Sequence, residues 1–251
     1  MKKLFVGIMM LYCITSYAQQ TFFTIPSGEI THRGKIFYQF QNNFLSPYIQ
    51  GTQAKFDFCY GIGHHWELGF NLDTELNWKK KHKFFEIEDT LGINPVTPLL
   101  LFNMQKGIPL LPHPKLRLNI GTQFGTNLIH KEHIRFAYMG YVMLASEFKE
   151  DWHTNIGVYV TNDAFAGKGS HIDVFGGIEI PFSERWAVMA DATLGSNSNC
   201  IGTLGFSYNP TNRMQLCLGG IAPMPNNPIK EYGVVFELSL FGWDFWDKNE
   251  D

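Results

Sequence analysis

The stretch from Gln53 to Trp78 constrains this chain more than any other, because its apolar and polar residues alternate almost without a break. One face carries Ala54, Phe56, Phe58, Tyr60 and Ile62, then Trp66, Leu68, Phe70, Leu72, Thr74, Leu76 and Trp78. The other carries Gln53, Lys55, Asp57, Cys59 and Gly61, then Glu67, Gly69, Asn71, Asp73, Glu75 and Asn77. A period of two is the period of a β-strand. Gly63-His64-His65 interrupts it as a short turn, which predicts an antiparallel hairpin with Ile62 opposite Trp66, Phe58 opposite Phe70 and Lys55 opposite Asp73. A slip of one residue would carry Glu67, Asp73 and Glu75 onto the apolar face, so the register is tightly specified.

The second of these strands outruns the roughly 5–6 residues usual in soluble proteins, and tryptophan stands at both ends of its apolar face. An apolar band framed by aromatics and backed by a charged face is the pattern of a transmembrane β-barrel strand, with lipid outside and a wet or ion-paired lumen inside. Composition agrees: 45% hydrophobic and 15% aromatic residues with 24 glycines suit a β-rich barrel. Beyond residue 18 no apolar run reaches the ~18 residues of a spanning helix. A net charge of −3 without a basic patch gives no reason to expect nucleic acid.

Met1-Lys2-Lys3, the apolar run Leu4–Ile14 and Ser16-Tyr17-Ala18 predict a cleaved signal peptide over residues 1–18. Tyr12 stands where lipidation of Cys13 needs a small residue. Cys59, Cys200 and Cys217 then remain, an odd and scattered set that makes no disulfide framework. Residues 19–33 read as an extended periplasmic lead-in, 34–246 as a single barrel domain and 247–251 as an acidic tail.

Twelve strands are predicted: Gly34–Asn43, the two strands of the hairpin, Pro98–Lys106, Lys115–Gly125, Ile134–Glu147, Trp152–Thr161, His171–Ile180, Trp186–Gly195, Cys200–Tyr208, Met214–Ala222 and Tyr232–Phe241. In the fourth, Leu99, Leu100 and Leu101 break the alternation, and in the sixth either face fits outward. An even number returns both ends to one side, as bacterial barrels require. Trp66, Trp152 and Trp186 open odd strands and Tyr208 closes an even one, so one rim collects them, with Trp78 on the other, as interfacial girdles. The architecture expected is an all-β, antiparallel, up-and-down transmembrane barrel.

The chain resembles bacterial outer-membrane β-barrels, and loosely the small transporter-like barrel families with a G-I-x-x-x-W-E-L-G hairpin, here Gly61-Ile62-Gly63-His64-His65-Trp66-Glu67-Leu68-Gly69. Its last strand resembles the signal read by the barrel-assembly machinery, here Glu231, Gly233, Phe236 and Leu238. The resemblance implies outer-membrane lipid and that machinery as partners. One departure is that Phe241 does not end the chain, since Gly242–Asp251 follows with Trp243, Phe245 and Trp246, leaving the strand to stop at Phe241 or run to Trp246.

Parity assigns Asp57, Glu67, Asp73, Glu75, Asp173, Glu179, Asp191 and Glu237 to the lumen, against Lys35, Lys55, Arg117 and Arg135. A net acidic lumen suits a passive channel or a transporter for a small polar or cationic solute, since rings of charge set pore selectivity. The rival reading is a non-conducting structural or interaction barrel plugged by ion pairs or by residues 19–32, and a second is a barrel enzyme acting on lipid or peptide. Catalysis is not expected: in Ser170-His171-x-Asp173 the serine and histidine point to opposite faces, and His153 faces Glu179 instead. His64-His65 and His130-Lys131-Glu132-His133 lack a ligand set at metal spacing. Gly167-Lys168-Gly169-Ser170 lacks the first glycine of a phosphate loop, so no cofactor is expected.

Overall fold

In a computed structural model that describes residues 22–46, 51–77, 95–111, 115–128, 134–148 and 152–244, twelve antiparallel strands close into one barrel. They are β1 (Lys35–Ser46), β2 (Gly51–Gly63), β3 (Trp66–Asn77), β4 (Leu99–Leu111), β5 (Lys115–Asn127) and β6 (Phe136–Phe148). β7 (Trp152–Thr161), β8 (Ile172–Pro181), β9 (Trp186–Leu194), β10 (Ile201–Thr211), β11 (Met214–Pro223) and β12 (Tyr232–Asp244) complete it. Each strand pairs with its sequence neighbours, and β1 closes on β12. The signal peptide, Trp78 with most of the Lys-rich loop, His130 and His133, and the tail beyond residue 244 lie outside the described residues.

The opening hairpin keeps its predicted register through the body, with Phe58 opposite Phe70 and Lys55 opposite Asp73. It departs at the tip, where the register shifts and Gly63, not Ile62, pairs with Trp66. His64 (φ 53°) and His65 (φ 59°) form a two-residue left-handed turn whose twist matches the strands it joins. Several strands run past the point where the alternation stops. β4 continues to Leu111 instead of turning at Gly107, with a register shift at Pro109, which has no N–H to give the ladder. β12 passes Phe241 and reaches Asp244 through a bulge at Gly242, whose φ of 72° suits glycine. Apolar patterning marks only where a strand meets lipid or core, so it understates length where the strand extends beyond.

The outer surface is apolar on every strand. Phe70, Ile120, Val142, Ile156, Leu204 and Leu218 all point outward and are exposed, with Leu204 63% accessible. A continuous belt of this kind is what acyl chains cover. We call the rim that holds both barrel ends, Lys35 and Asp244, the near rim. Trp66, Trp152 and Trp186 open β3, β7 and β9 there. Trp186 packs on Tyr208 at 4.5 Å between ring centres, and the Lys106 ammonium lies 5.1 Å from the Trp66 ring.

β6 resolves its ambiguity by burying apolar residues on the lumen side: Ala137, Met139, Tyr141, Met143 and Ala145 point in, while Phe136, Tyr138, Val142 and Leu144 point out. The leucine run of β4 has a similar cause. Leu100 faces outward, and Leu99 and Leu101 face inward, buried against Ala137 and Ala164. Ala164 belongs to a short helix, α1 (Asp163–Ala166), inside what reads in sequence as a glycine-rich loop. Asn162 caps it, accepting from the Phe165 N–H at 3.2 Å, and α1 turns its alanines into the far mouth of the barrel.

Candidate functional site

The lumen is occupied. Residues 22–33 do not lie outside as a lead-in; they thread through the interior before joining β1 at the near rim, where the Gly34 N–H donates to the Gly61 carbonyl at 2.8 Å. Phe22, Phe23, Ile25, Ser27 and Ile30 are buried. Consecutive side chains go to opposite walls. Phe22 and Ile25 join Met139, Tyr141, Met143, Tyr159 and Phe175 of β6–β8, whereas Phe23 packs with Met189, Cys217, Ile221 and Val235 of β9–β12. The apolar inner face of β6 is therefore a socket for this segment. The fit is close: a Cβ at Gly177 would come within 2.6 Å of the Phe22 ring, and one at Gly28 within 2.1 Å of Ala145 Cβ.

An extended segment inside a closed barrel has no strand edge to pair with, so side chains must satisfy its backbone. The Phe23 and Thr24 N–H groups donate to Asp191 Oδ2 at 2.6 and 3.2 Å, and the Thr24 hydroxyl donates to Oδ1 at 2.5 Å. Asn155 Nδ2 donates to the Pro26 carbonyl at 3.0 Å and Gln105 Nε2 to that of Ser27 at 3.0 Å. Arg117 Nη1 and Asn119 Nδ2 both donate to the Gly28 carbonyl, at 2.8 and 2.6 Å. The Thr31 N–H donates to Glu67 Oε2 at 2.8 Å, and Glu29 meets His153 Nδ1 at 3.3 Å.

The predicted lumen charges are thus divided among several tasks. Asp191, Glu67 and Arg117 hold the inserted segment. Asp173 is at the far rim, where it accepts from Ser170 Oγ and from Asn197 Nδ2, the latter at 2.5 Å. Glu179 and Glu237 are buried in the near half and accept from Ser207 Oγ at 3.3 Å and Ser239 Oγ at 3.1 Å. Glu75 is buried on β3, and Lys35 sits half-buried at the near rim. Arg135 is a correction: it precedes β6, is exposed, and gives its N–H to Asn127 Oδ1 at 2.8 Å. Of the assembly-signal residues, Glu231 is buried just ahead of β12, while Phe236 and Leu238 lie on its outer face.

Lys55, Asp57 and Asp73 face the space left open. A cavity of about 220 Å³ lies between the inserted segment and the far-rim loops, reaching Thr97, Phe165, Asn199 and Asn227. On the β1–β3 side its wall is polar, with Gln41, Asn43 and Asn71 beside the three charged groups. The opposite wall is aromatic, formed by Tyr141, Tyr159, Phe165 and Phe175. Two buried asparagines knit the loops above it. Asn197 donates to the Ser170 carbonyl at 2.9 Å, and Asn227 donates to the Ser198 and Cys200 carbonyls, each at 3.0 Å.

No catalytic constellation forms at Ser170. Its hydroxyl bonds Asp173 while His171 turns outward to Asp163 at 2.8 Å, so serine and histidine do not meet. Among the described residues no cluster of three or more His, Cys, Asp or Glu is placed to hold a metal. Cys59, Cys200 and Cys217 are free and buried, and burial pushes the Cys200 thiol, in the loop before β10, up to about 11.

The sequence reading placed the inserted segment outside as a lead-in and offered it as a lumen plug only in its rival alternative; the structure takes the rival's side. Its signal is present: Phe22, Phe23 and Ile25 are too apolar for a solvated linker, and β6 is apolar on both faces.

No protein-family model matches the sequence, and no curated protein does. Solved structures do match. The NanC porin aligns with a TM-score of 0.58 at 11% identity, covering 82% of this chain and all of that one. Outer membrane phospholipase A from Escherichia coli aligns at 0.49 with 13% identity over 82% of this chain and 92% of its own. An outer membrane channel from Pseudomonas putida F1 aligns at 0.49 with 10% identity over 90% and 100%. The chain has the closed twelve-strand architecture of an outer-membrane β-barrel, and its fold is similar to that of a porin.

Proposed function

We propose that this protein is an outer-membrane barrel for a small solute, held shut by its own N-terminal segment. The observation that carries the reading is the seating of residues 22–31 in the lumen by hydrogen bonds from β3, β4, β5, β7 and β9. Residues 22–27 line the cavity and the segment continues to the near rim, where Gly34 is held by Gly61, so a solute in the cavity meets it before it can pass. The attachment is one that can be released, because polar contacts carry much of it and water can replace them. In this reading the apolar belt faces outer-membrane lipid, and β12 is read by the barrel-assembly machinery. The porin-like fold is consistent with transport.

Planar-bilayer recording tests this directly. The intact protein is expected to be silent or to open briefly, and a variant lacking residues 19–31 to give stable steps. A salt gradient should then report cation preference, from the interior carboxylates that lose their contacts with the segment. If the intact protein conducts as steadily as the shortened one, or the shortened one is folded and silent, the proposal fails.

A further inference from the structure

The geometry points to the cavity above the inserted segment as a binding site for a small neutral polyhydroxylated ring, a monosaccharide or a cyclitol. This rests on the closed-barrel reading, since residues 22–27 form the cavity floor.

Size sets the first limit. About 220 Å³ falls below the ~300–1,000 Å³ of typical ligand pockets, which suits a single-ring solute rather than an oligomer or a lipid chain.

Hydrogen-bonding capacity sets the second. The lining is rich in side-chain amides: Gln39, Gln41, Asn43, Gln53 and Asn71 on the β1–β3 wall, and Gln123 on β5. An amide offers two donors and an acceptor side by side, and a hydroxyl is likewise both donor and acceptor. On strand lattices these groups repeat at ~4.8 Å across strands and ~6.7 Å along them, a grid that several hydroxyls of one ring can meet together. The Gln53 and Gln123 side chains make no hydrogen bond among the described residues, so their amide capacity is open to a ligand.

Charge sets the third. Lys55 lies opposite Asp73 and two residues from Asp57 on the same face, so one ammonium stands between two carboxylates. Glu67, which already accepts from the Thr31 N–H, and Glu231 also line the space, so an anion would meet an excess of carboxylates. A cation would meet the Lys55 ammonium set between Asp57 and Asp73, and a neutral ligand can accept from that ammonium and donate to the carboxylates. The aromatic wall completes the match, because Tyr159 and Phe165 offer apolar surface to the C–H face of a ring whose hydroxyls point the other way.

The test is isothermal titration of the full-length, detergent-solubilised barrel with glucose, galactose, mannose and myo-inositol, with glucuronate and choline as charged comparators. At least one neutral compound is expected to bind saturably, and glucuronate and choline at least tenfold more weakly. Gln53→Leu and Gln123→Leu break no bond within the described chain, so both should stay heat-modifiable on gels while weakening that binding about tenfold. Equal or tighter binding of either charged compound, no binding of any neutral one, or unchanged affinity in both folded variants would overturn the inference. Titration reads the closed barrel without current, so its failure leaves the bilayer result standing, and a failed deletion leaves the titration standing.

Discussion

The two sides of the lumen differ although their outer faces are alike. On β1–β3 the inward positions that face the cavity are mostly polar, with Gln39, Gln41, Lys55, Asp57, Asn71 and Asp73, although Phe37 and Cys59 make a small apolar cluster with Phe241. On β6–β8 they include Met139, Tyr141, Met143, Tyr159 and Phe175, packed around Phe22 and Ile25. Both sides present Phe, Leu, Ile or Val outward. The outer face therefore follows one apolar rule on every strand, while the interior is written by whatever lies against it. Where the inserted segment packs, the wall is a protein core; where the cavity lies, it resembles a solvated surface. A strand with two apolar faces inside a barrel is a sign that something apolar occupies the lumen beside it.

The strongest way to break this contrast is to free the segment. Asp191→Leu removes an acceptor shared by three donors, and bonds to charged groups contribute ~1.5–3 kcal/mol each, so docking should weaken by about 4 kcal/mol after partial non-additivity. The N-terminal segment should become protease-sensitive and current should appear in bilayers. Continued protection would mean that the aromatic socket alone retains it.

Next is the apolar rule itself. Leu72→Arg, on the outer face of β3, should cost about 2–4 kcal/mol if near the midplane, whereas the inward neighbour change Asn71→Leu loses the bond to Asn103 and should cost about 1 kcal/mol. Urea unfolding in lipid vesicles compares them, and equal costs would refute the assignment of faces.

Glycines sharpen the comparison at smaller scale. Gly177→Val forces a side chain into Phe22 and should destabilise by roughly 1–3 kcal/mol, while Gly220→Val projects into open space and should stay within ~0.5 kcal/mol. The same vesicle assay reads both; a silent Gly177→Val would place Phe22 elsewhere. The smallest effect expected is at the near rim, where Trp186→Ala loses the packing on Tyr208, ~0.5–1.5 kcal/mol beyond the area uncovered. A Tyr208→Ala cycle isolates that coupling, and additive single effects would show that the pair does not act together.

The hairpin shows how much could be read in advance. Phe58 opposite Phe70 and Lys55 opposite Asp73 follow from alternation and the short turn together, because a one-residue slip would put charges on the apolar face and the turn fixes the rest. The two-histidine turn does not follow, since nothing in Gly63-His64-His65 announces two successive left-handed residues. The inward side of Lys55, Asp57 and Asp73 could be read from parity, but that Asp191 and Glu67 would be spent on backbone N–H groups of residues 23, 24 and 31 could not. Those contacts join positions as far as 168 residues apart, and local pattern carries no information on such pairs.

By itself the sequence determined the barrel: strand number, antiparallel order and, on every strand but β6, the face turned outward, all consequences of a period of two repeated beside one uniform surrounding. Only the tertiary structure decided what fills the interior. Closing twelve strands brings distant inward faces around a common axis, and residues 22–33 follow that axis because their apolar side chains and unpaired backbone groups find complementary partners on opposite walls at once.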